Sequence, residues 1–139
     1  MVRHAPLHGI DVPEHLVPDM IDEFPALFVA AALAEGTTVT NGLDELRVKE
    51  SDRLAVMAAA LTGAGAQVNE QADGLTIEGT GGDALRGTAG AIATHLDHRI
   101  AMSMAVAGLA SQNGVEVDDT RPIATSFPQF EALLDGLAG

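Results

Sequence analysis

The chain has 139 residues, enough for one domain with a hydrophobic core but too few for two such domains. Hydrophobic residues make up 47% of the chain and aromatic residues only 3%, so the core must be built from Ala, Leu, Val, Ile and Met. The formal net charge of −13 disfavours binding to nucleic acid or to an anionic membrane surface.

Cysteine and long apolar runs are both missing from the sequence. The lack of cysteine excludes disulfides and a thiol nucleophile, and it is typical of a reducing compartment. The longest purely apolar run, from Ala26 to Ala34, is too short to span a bilayer, and the N-terminus is not typical of a secretion signal. We therefore expect a cytoplasmic protein that does not bind membranes.

The first third of the chain alternates predicted strands and helices. The segment from Val2 to Ile10 predicts a short strand, and the prolines that follow it predict a loop. Asp22 opens a predicted helix that has Pro25 in its first turn and Gly36 at its end. This helix is apolar on nearly every side, so we expect it to be buried. A strand is predicted from Thr37 to Thr40.

The rest of the chain continues the same alternation. The predicted elements are a helix from about Ser51 to Thr62, a hairpin with its turn at Asp73-Gly74, a weak strand from Leu85 to Ala93, a buried helix from about Asp97 to Ala110, a strand from Val115 to Val117 and a last helix from Ser126 to Leu137. The order helix, glycine, short strand recurs, which indicates repeated units that share one core. The alternation predicts an α/β or α+β fold with unusually buried, alanine-rich helices.

The most highly charged stretch, from Arg47 to Leu54, lies directly before a predicted helix. Ser51 and Asp52 are both suitable N-caps for that helix, because a short side-chain oxygen accepts hydrogen bonds from the free N–H groups of the first turn. Three of the seven basic residues of the chain fall in this stretch. An acidic protein that concentrates its few cations in this way is expected to hold a small anion.

Lys49 and Arg53 would lie at the positive end of that helix, where free N–H groups also favour a phosphate or a carboxylate. Glu50, between them, is either a salt-bridge partner or a residue with a chemical role, and the residue types alone leave both interpretations open. Asp22 is likewise either a helix N-cap or part of a site.

A second polar cluster, from Thr94 to Ser103, also precedes an apolar helix. His95, Asp97 and His98 carry groups that bind metals, but no further ligand is evident elsewhere and hydrogen-bonded histidines are commoner, so we predict no metal site. Arg99 is the stronger candidate, because a guanidinium binds a carboxylate or phosphate through two hydrogen bonds.

Four motifs, taken in chain order, resemble successive motifs of the 5-enolpyruvylshikimate-3-phosphate synthases. They are Met20-Ile21-Asp22-Glu23, Arg47-Val48-Lys49-Glu50-Ser51-Asp52-Arg53-Leu54, Asp97-His98-Arg99-Ile100-Ala101-Met102 and Ala124-Thr125-Ser126-Phe127-Pro128. The similarity extends over essentially the whole chain but covers only the last third of such an enzyme. That family has two domains, each built from βαβαββ units with buried helices. The resemblance implies that residues 1–139 form a single partial domain, the later part of the C-terminal domain, with the N-terminal domain absent.

The resemblance implies a reaction in the shikimate pathway of aromatic amino-acid biosynthesis. The enolpyruvyl group of phosphoenolpyruvate is transferred to the 5-hydroxyl of shikimate 3-phosphate, and phosphate is released through a tetrahedral intermediate. No cofactor and no metal is implied. This chain would supply half of the active site, and the missing N-terminal domain would supply the other half.

The resemblance also implies catalytic roles for three residues. Asp22 matches the carboxylate that contacts the shikimate hydroxyls and is the candidate base. Glu50 matches the acid that protonates the methylene carbon of phosphoenolpyruvate. Lys49 matches a lysine that contacts both substrates. General acid and base groups of this kind contribute about 10² to 10⁴ in rate each.

Further binding residues follow from the same comparison of motifs. Arg53 and Arg99 match residues that bind the phosphoenolpyruvate anion, and His98 matches a neighbouring histidine. Thr125 departs from the pattern, since some members have a phosphoenolpyruvate-binding lysine there. Glu45 also departs, since it stands where some members have an asparagine that contacts the shikimate phosphate.

Two other functions remain open from the sequence. One is a non-catalytic anion-binding or assembly module that keeps the fold. The other is a fragment of the related transferase that adds enolpyruvate to UDP-N-acetylglucosamine, in which the Lys-Glu-Ser-Asp-Arg and Asp-His-Arg motifs are not expected together.

Overall fold

Apolar helices occupy the centre of the molecule, and short strands lie around them. The computed structural model describes residues 1–138. The α-helices are α1 (Val17–Met20), α2 (Phe24–Leu33), α3 (Arg53–Gly63), α4 (His98–Leu109), α5 (Arg121–Ser126) and α6 (Phe130–Ala138). The strands are β1 (Thr37–Val39), β2 (Gln67–Gln71), β3 (Gly74–Glu78), β4 (Ala91–Ile92) and β5 (Glu116–Val117). Short 3₁₀ helices cover Glu14–Leu16, Ile21–Glu23 and Asp44–Val48.

Helices α2, α3 and α4 pack against one another and form the core. Phe24 and Phe28 of α2 are fully buried, with their ring centroids 5.8 Å apart. More than half of the alanine side chains of these helices are buried as well, whereas β2 is largely exposed. The prediction that the helices are more buried than the strands holds for α2, α3 and α4 compared with β2, whereas β3 is mostly buried and α6 has no buried residue.

The larger sheet has the strand order β1-β3-β2, and both of its pairings are antiparallel. The predicted hairpin is present as β2 and β3, but its turn residues are Ala72 and Asp73 rather than Asp73 and Gly74. Gly74 is the first residue of β3 and pairs with Gln71, and a Cβ there would lie 1.8 Å from the Thr40 carbonyl oxygen. Isolated parallel bridges join His8 to Glu35 and Asp11 to Val39. Strands β4 and β5 form a separate parallel pair.

The predicted recurrence of helix, glycine and strand is present in the fold. Helix α2 leads through Gly36 into β1, and α4 leads through Gly114 into β5. Both glycines have left-handed backbones, with φ of +87° and +77°, which side chains other than glycine rarely adopt. This mixed helix and sheet arrangement is consistent with repeated βαβαββ units.

Two predicted strands are largely wrong. The predicted strand from Val2 to Ile10 is reduced to the bridge at His8, because residues 2–7 are exposed and no neighbouring strand extends beside them. The predicted strand from 85 to 93 is reduced to a bridge at Leu85 and to β4. Gly87 interrupts it with a φ of +92°, and a Cβ there would lie 2.4 Å from the Gly114 carbonyl oxygen.

The predicted loop after Val12 and the predicted last helix also need correction. The loop contains a 3₁₀ turn and α1. The last helix begins at Phe130 rather than at Ser126, and the sequence analysis missed α5, which ends at Ser126. Pro122 in the first turn of α5 was the available signal.

Candidate active site

The two charged motifs meet because each precedes one of two packed helices. Asp52 is the N-cap of α3 and accepts a hydrogen bond from the Ala55 N–H at 3.1 Å. Asp97 is the N-cap of α4 and accepts from the Arg99 N–H at 3.0 Å. Since α3 packs against α4, the residues around both N-termini share one region of the molecule.

Arg53 lies at the centre of this region, and only 2% of its side chain is exposed. Its Nε donates to Asp97 Oδ2 at 2.9 Å, its Nη2 to Glu50 Oε2 at 2.6 Å and its Nη1 to Asp22 Oδ1 at 3.2 Å. The side chains of Glu50 and Asp22 remain 54% and 47% exposed. One buried guanidinium therefore fixes two accessible carboxylates beside each other.

Asp97 is fully buried, and its carboxylate balances the charge of the buried Arg53 guanidinium. Its Oδ2 also accepts from Ser51 Oγ at 2.7 Å. Burial opposes ionisation of this carboxyl, but the hydrogen bonds from Arg53 and Ser51 and the charge of Arg53 outweigh it, so the pKa of Asp97 lies below its ordinary value. Asp97 is therefore an ionised counterion that both motifs share.

Lys49 reaches the same region from the loop before α3. Its Nζ lies 3.5 Å from Asp22 Oδ1 and 3.2 Å from Glu45 Oε1. The hydrogen bond to Glu45 outweighs partial desolvation, and with the charge of Asp22 it raises the pKa of Lys49. Lys49 stays cationic and half-buried beside Asp22.

Arg99 approaches Asp22 from α4. Its Nη1 donates to the Asp22 backbone carbonyl at 3.2 Å and to Glu23 Oε1 at 3.0 Å. One third of its side chain, 33%, is exposed. The Arg99 side chain is thus held through Nη1 and remains partly accessible to solvent.

The structure brings five of the six predicted site residues into one connected set of contacts. They are Asp22, Lys49, Glu50, Arg53 and Arg99. The sixth, His98, is the half-buried first residue of α4, between Asp97 and Arg99. The sequence analysis missed how Ser51 and Asp97 support Arg53, although the N-cap position of Asp97 was a usable signal.

All three cations in the first motif already have carboxylate partners within the chain. Arg53 contacts the three carboxylates already described, and Arg47 contacts Asp52 at 3.0 Å and Glu70 at 2.9 Å. Arg47 also donates to two backbone carbonyls, those of Gln71 and Ala72. Arg47 therefore ties the start of α3 to the β2–β3 hairpin instead of holding a ligand.

Two open cavities border this set of residues. A cleft of about 730 Å³ lies between α3 and β4, and Glu50 and His95 are among its lining residues. A smaller cavity of about 190 Å³ is lined by residues that include Asp22 and Arg99. Of the carboxylates that contact Arg53, Glu50 therefore borders the larger cavity and Asp22 the smaller one.

The comparisons with known proteins match the chain to one family. The family model described as EPSP synthase (3-phosphoshikimate 1-carboxyvinyltransferase) matches residues 1–134. The chain belongs to the EPSP synthase family. It is 71% identical to a 3-phosphoshikimate 1-carboxyvinyltransferase of Novosphingobium aromaticivorans, over 96% of this chain and 31% of that protein. It is 68% identical to the protein of the same name from Sphingopyxis alaskensis, over 98% of this chain and 30% of that protein.

A solved structure supports the same assignment. The EPSP synthase of Acinetobacter baumannii superposes with a TM-score of 0.89 at 48% sequence identity, over 94% of this chain and 30% of that one. The chain thus spans about a third of the length of the family members that it matches. The family model and the Novosphingobium and Sphingopyxis relatives carry the name of the shikimate enzyme.

The two departures from the family pattern have local partners in this chain. Glu45 pairs with Lys49, and Thr125 donates from its hydroxyl to the Pro122 carbonyl at 2.8 Å.

Among residues 1–138, no group of three potential ligands is arranged to hold a metal, and both oxygens of Asp97 are engaged by other groups. Within the same residues, no helix has the length and apolarity needed to cross a membrane.

Proposed function

We propose that this chain supplies part of an active site that transfers the enolpyruvyl group of phosphoenolpyruvate to the 5-hydroxyl of shikimate 3-phosphate. The reaction releases phosphate and belongs to aromatic amino-acid biosynthesis. Residues 1–139 would form the later part of the C-terminal domain of the enzyme. We expect the reaction to take place in the cytoplasm.

The observation that carries this proposal is the pair of carboxylates on Arg53. Glu50 and Asp22 bind adjacent nitrogen atoms of one buried guanidinium, and both remain half-exposed at open cavities. A reaction that protonates carbon and deprotonates oxygen at neighbouring atoms needs an acid and a base held at a short, fixed separation. This pair meets that requirement.

In the first half of the reaction, Glu50 gives a proton to the methylene carbon of phosphoenolpyruvate. The 5-hydroxyl oxygen then bonds to the adjacent carbon, and Asp22 accepts the hydroxyl proton. In the second half, the bond from that carbon to the phosphate oxygen breaks, and the phosphate leaves with the proton that Asp22 had accepted, which returns Asp22 to its carboxylate form. The carboxylate of Glu50 takes a proton from the new methyl group, which restores the double bond and the starting protonation state of Glu50.

Lys49 and Arg99 are the cations that we assign to the substrates. Both are partly accessible, and Lys49 contacts the side chain of Asp22 whereas Arg99 contacts its backbone carbonyl. Direct contact of Arg53 with phosphoenolpyruvate would require Asp22 or Glu50 to release one of its nitrogens. We therefore assign Arg53 first to holding the acid and the base, and His98 to the wall of the site beside Arg99.

The charge balance favours an active site completed by further protein. Carboxylates outnumber cations around Arg53, since Asp22, Glu23, Glu45, Glu50 and Asp97 face Lys49, Arg53 and Arg99. Both proposed substrates carry phosphate. Binding two such anions needs additional positive groups, which we assign to the N-terminal domain.

A chimeric enzyme tests the proposal. The segment of the Novosphingobium aromaticivorans protein that this chain matches would be replaced by this chain, and phosphate release from the two substrates would be measured. Glu50→Gln should lower kcat by about 10² to 10⁴ with little change in KM, because it removes the proton and keeps the shape. Glu131→Gln on the exposed face of α6 is the matched control. Unchanged turnover in Glu50→Gln would leave the non-catalytic anion-binding or assembly module as the better account.

A further inference from the structure

The turn that precedes Asp97 has an unfavourable backbone. His95 and Leu96 are consecutive residues with φ of +52° and +58°, and the Asp97 N–H donates to the Thr94 carbonyl at 3.0 Å. A turn with positive φ at both central positions normally contains Asn and Gly. Histidine and leucine are sterically strained there, so other contacts must hold the turn.

The side chain of Asp118 makes those contacts. Its Oδ1 accepts from the Thr94 N–H at 3.0 Å and from the Thr94 hydroxyl at 2.7 Å. Thr94 is fully buried, and its hydrogen bonds hold the pKa of Asp118 below its ordinary value. The strained turn is thus fixed at its first residue by an ionised carboxylate from the far end of β5.

We propose that Asp118 is a positioning residue for the acid–base pair and acts through Thr94, the strained turn and Asp97. The turn ends at Asp97, whose carboxylate receives Arg53 Nε and Ser51 Oγ. If the turn relaxes, Asp97 moves and the Arg53 guanidinium loses its hydrogen bond to the buried Asp97 carboxylate.

A purely architectural role for Asp118 is a distinct alternative. The Asp118 N–H donates to the Ile92 carbonyl at 2.9 Å and continues the parallel β4–β5 pairing. That bond uses the backbone, so it survives replacement of the side chain. The Asp118 side chain instead accepts hydrogen bonds from Thr94, so its loss should disturb the turn more than the pairing of β4 with β5.

Four variants separate these roles in the 139-residue chain. Asp118→Ala removes the acceptor, and Asp118→Asn keeps an oxygen in the same place. Asp119→Ala is the matched control, because the neighbouring carboxylate pairs with Arg121 at the surface and does not contact Thr94. Leu96→Gly, made in the Asp118→Ala background, removes strain at an exposed position of the turn.

The decisive readout is hydrogen exchange of Arg53 Nε–H, followed by NMR. We expect Asp118→Ala to accelerate this exchange about ten-fold or more, in line with the loss of hydrogen bonds to a charged group. Asp118→Asn and Asp119→Ala should remain within about two-fold of the parent chain, and Leu96→Gly should restore slow exchange to Asp118→Ala. Equal exchange rates in Asp118→Ala and Asp119→Ala would overturn the proposal, as would failure of Leu96→Gly to rescue. If Asp118→Ala does not fold, the Arg53 exchange rates of the Leu96→Gly/Asp118→Ala double variant and of Asp118→Asn decide. Slow exchange in both supports the proposal, and fast exchange in either overturns it.

The kinetic consequence rests on the proposed function, whereas the exchange measurement does not. In the chimera, Asp118→Ala should lower kcat about ten-fold with KM nearly unchanged, because the acid and base are displaced while Lys49 and Arg99 remain. Faster Arg53 exchange without a change in kcat would argue against the proposed enolpyruvyl transfer, but the proposal that Asp118 positions Arg53 would stand. Unchanged exchange would argue against Asp118 whatever the kinetics show.

Discussion

Arg53 and Asp97 form an ion pair in which both side chains are almost completely removed from solvent. Two charges buried together are stable only while each has its partner, because an unpaired buried charge loses its hydration without compensation. This pair joins the motif before α3 to the motif before α4. It therefore supports both the fold and the site.

Replacing Arg53 should be far more damaging than replacing a surface arginine. Arg53→Met keeps much of the side-chain volume but leaves Asp97 unpaired, and it should lower the free energy of unfolding by about 3–5 kcal/mol in urea titrations. Arg53→Met/Asp97→Asn should recover part of the loss because no buried charge remains. Arg121→Ala, at an exposed pair, is the control and should have a much smaller effect. A double variant less stable than Arg53→Met would argue against this explanation.

The contribution of Asp97 to stability should depend on pH in a defined direction. The pKa of Asp97 is lower in the folded chain than the ordinary value of about 4, so the folded state favours the ionised form. Its contribution is complete above that ordinary value and is lost as the pH falls through the lowered one. The stability difference between the parent chain and Asp97→Asn should thus be constant above about pH 5 and shrink below about pH 4. A difference that grows on acidification would contradict this sign.

Arg99 should act on phosphoenolpyruvate binding. In the chimera, Arg99→Ala removes an accessible cation from the proposed substrate side and should raise the KM for phosphoenolpyruvate about 10- to 100-fold, as expected for a lost hydrogen bond between charged groups. Arg86→Ala is the control, because Arg86 is exposed and its guanidinium donates to the Gly63 carbonyl at the C-terminal end of α3, the end opposite the charged motif. A rise confined to the KM for shikimate 3-phosphate would assign Arg99 to the other substrate.

The sequence predicted the local features of the fold well. The N-cap at Asp52, the start of α4 at Asp97 and the existence of the β2–β3 hairpin each depend on neighbours a few residues away. The strand expected around Gly87 failed because its conformation depends on a close approach to Gly114 from another part of the chain.

The environment of Arg53 could not be predicted in the same way. Sequence spacing indicates a pairing with Glu50 one helical turn away, but the other carboxylates come from positions 31 and 44 residues distant. Only the packing of α2, α3 and α4 brings them together. The sequence therefore predicted cations that hold a small anion, whereas in the fold Arg53 is buried against three carboxylates, and those of Glu50 and Asp22 remain accessible.

The central claim is that this chain holds the acid and the base but depends on cations from further protein. Phosphate release from phosphoenolpyruvate and shikimate 3-phosphate, measured for the isolated 139-residue chain beside the chimera, tests it most directly. We predict no release by the isolated chain and substrate binding no tighter than about millimolar, which corresponds to roughly −4 kcal/mol. The chimera should release phosphate and lose that activity in Glu50→Gln. Release by the isolated chain that Glu50→Gln abolishes would contradict the claim and show that residues 1–139 are sufficient for the reaction.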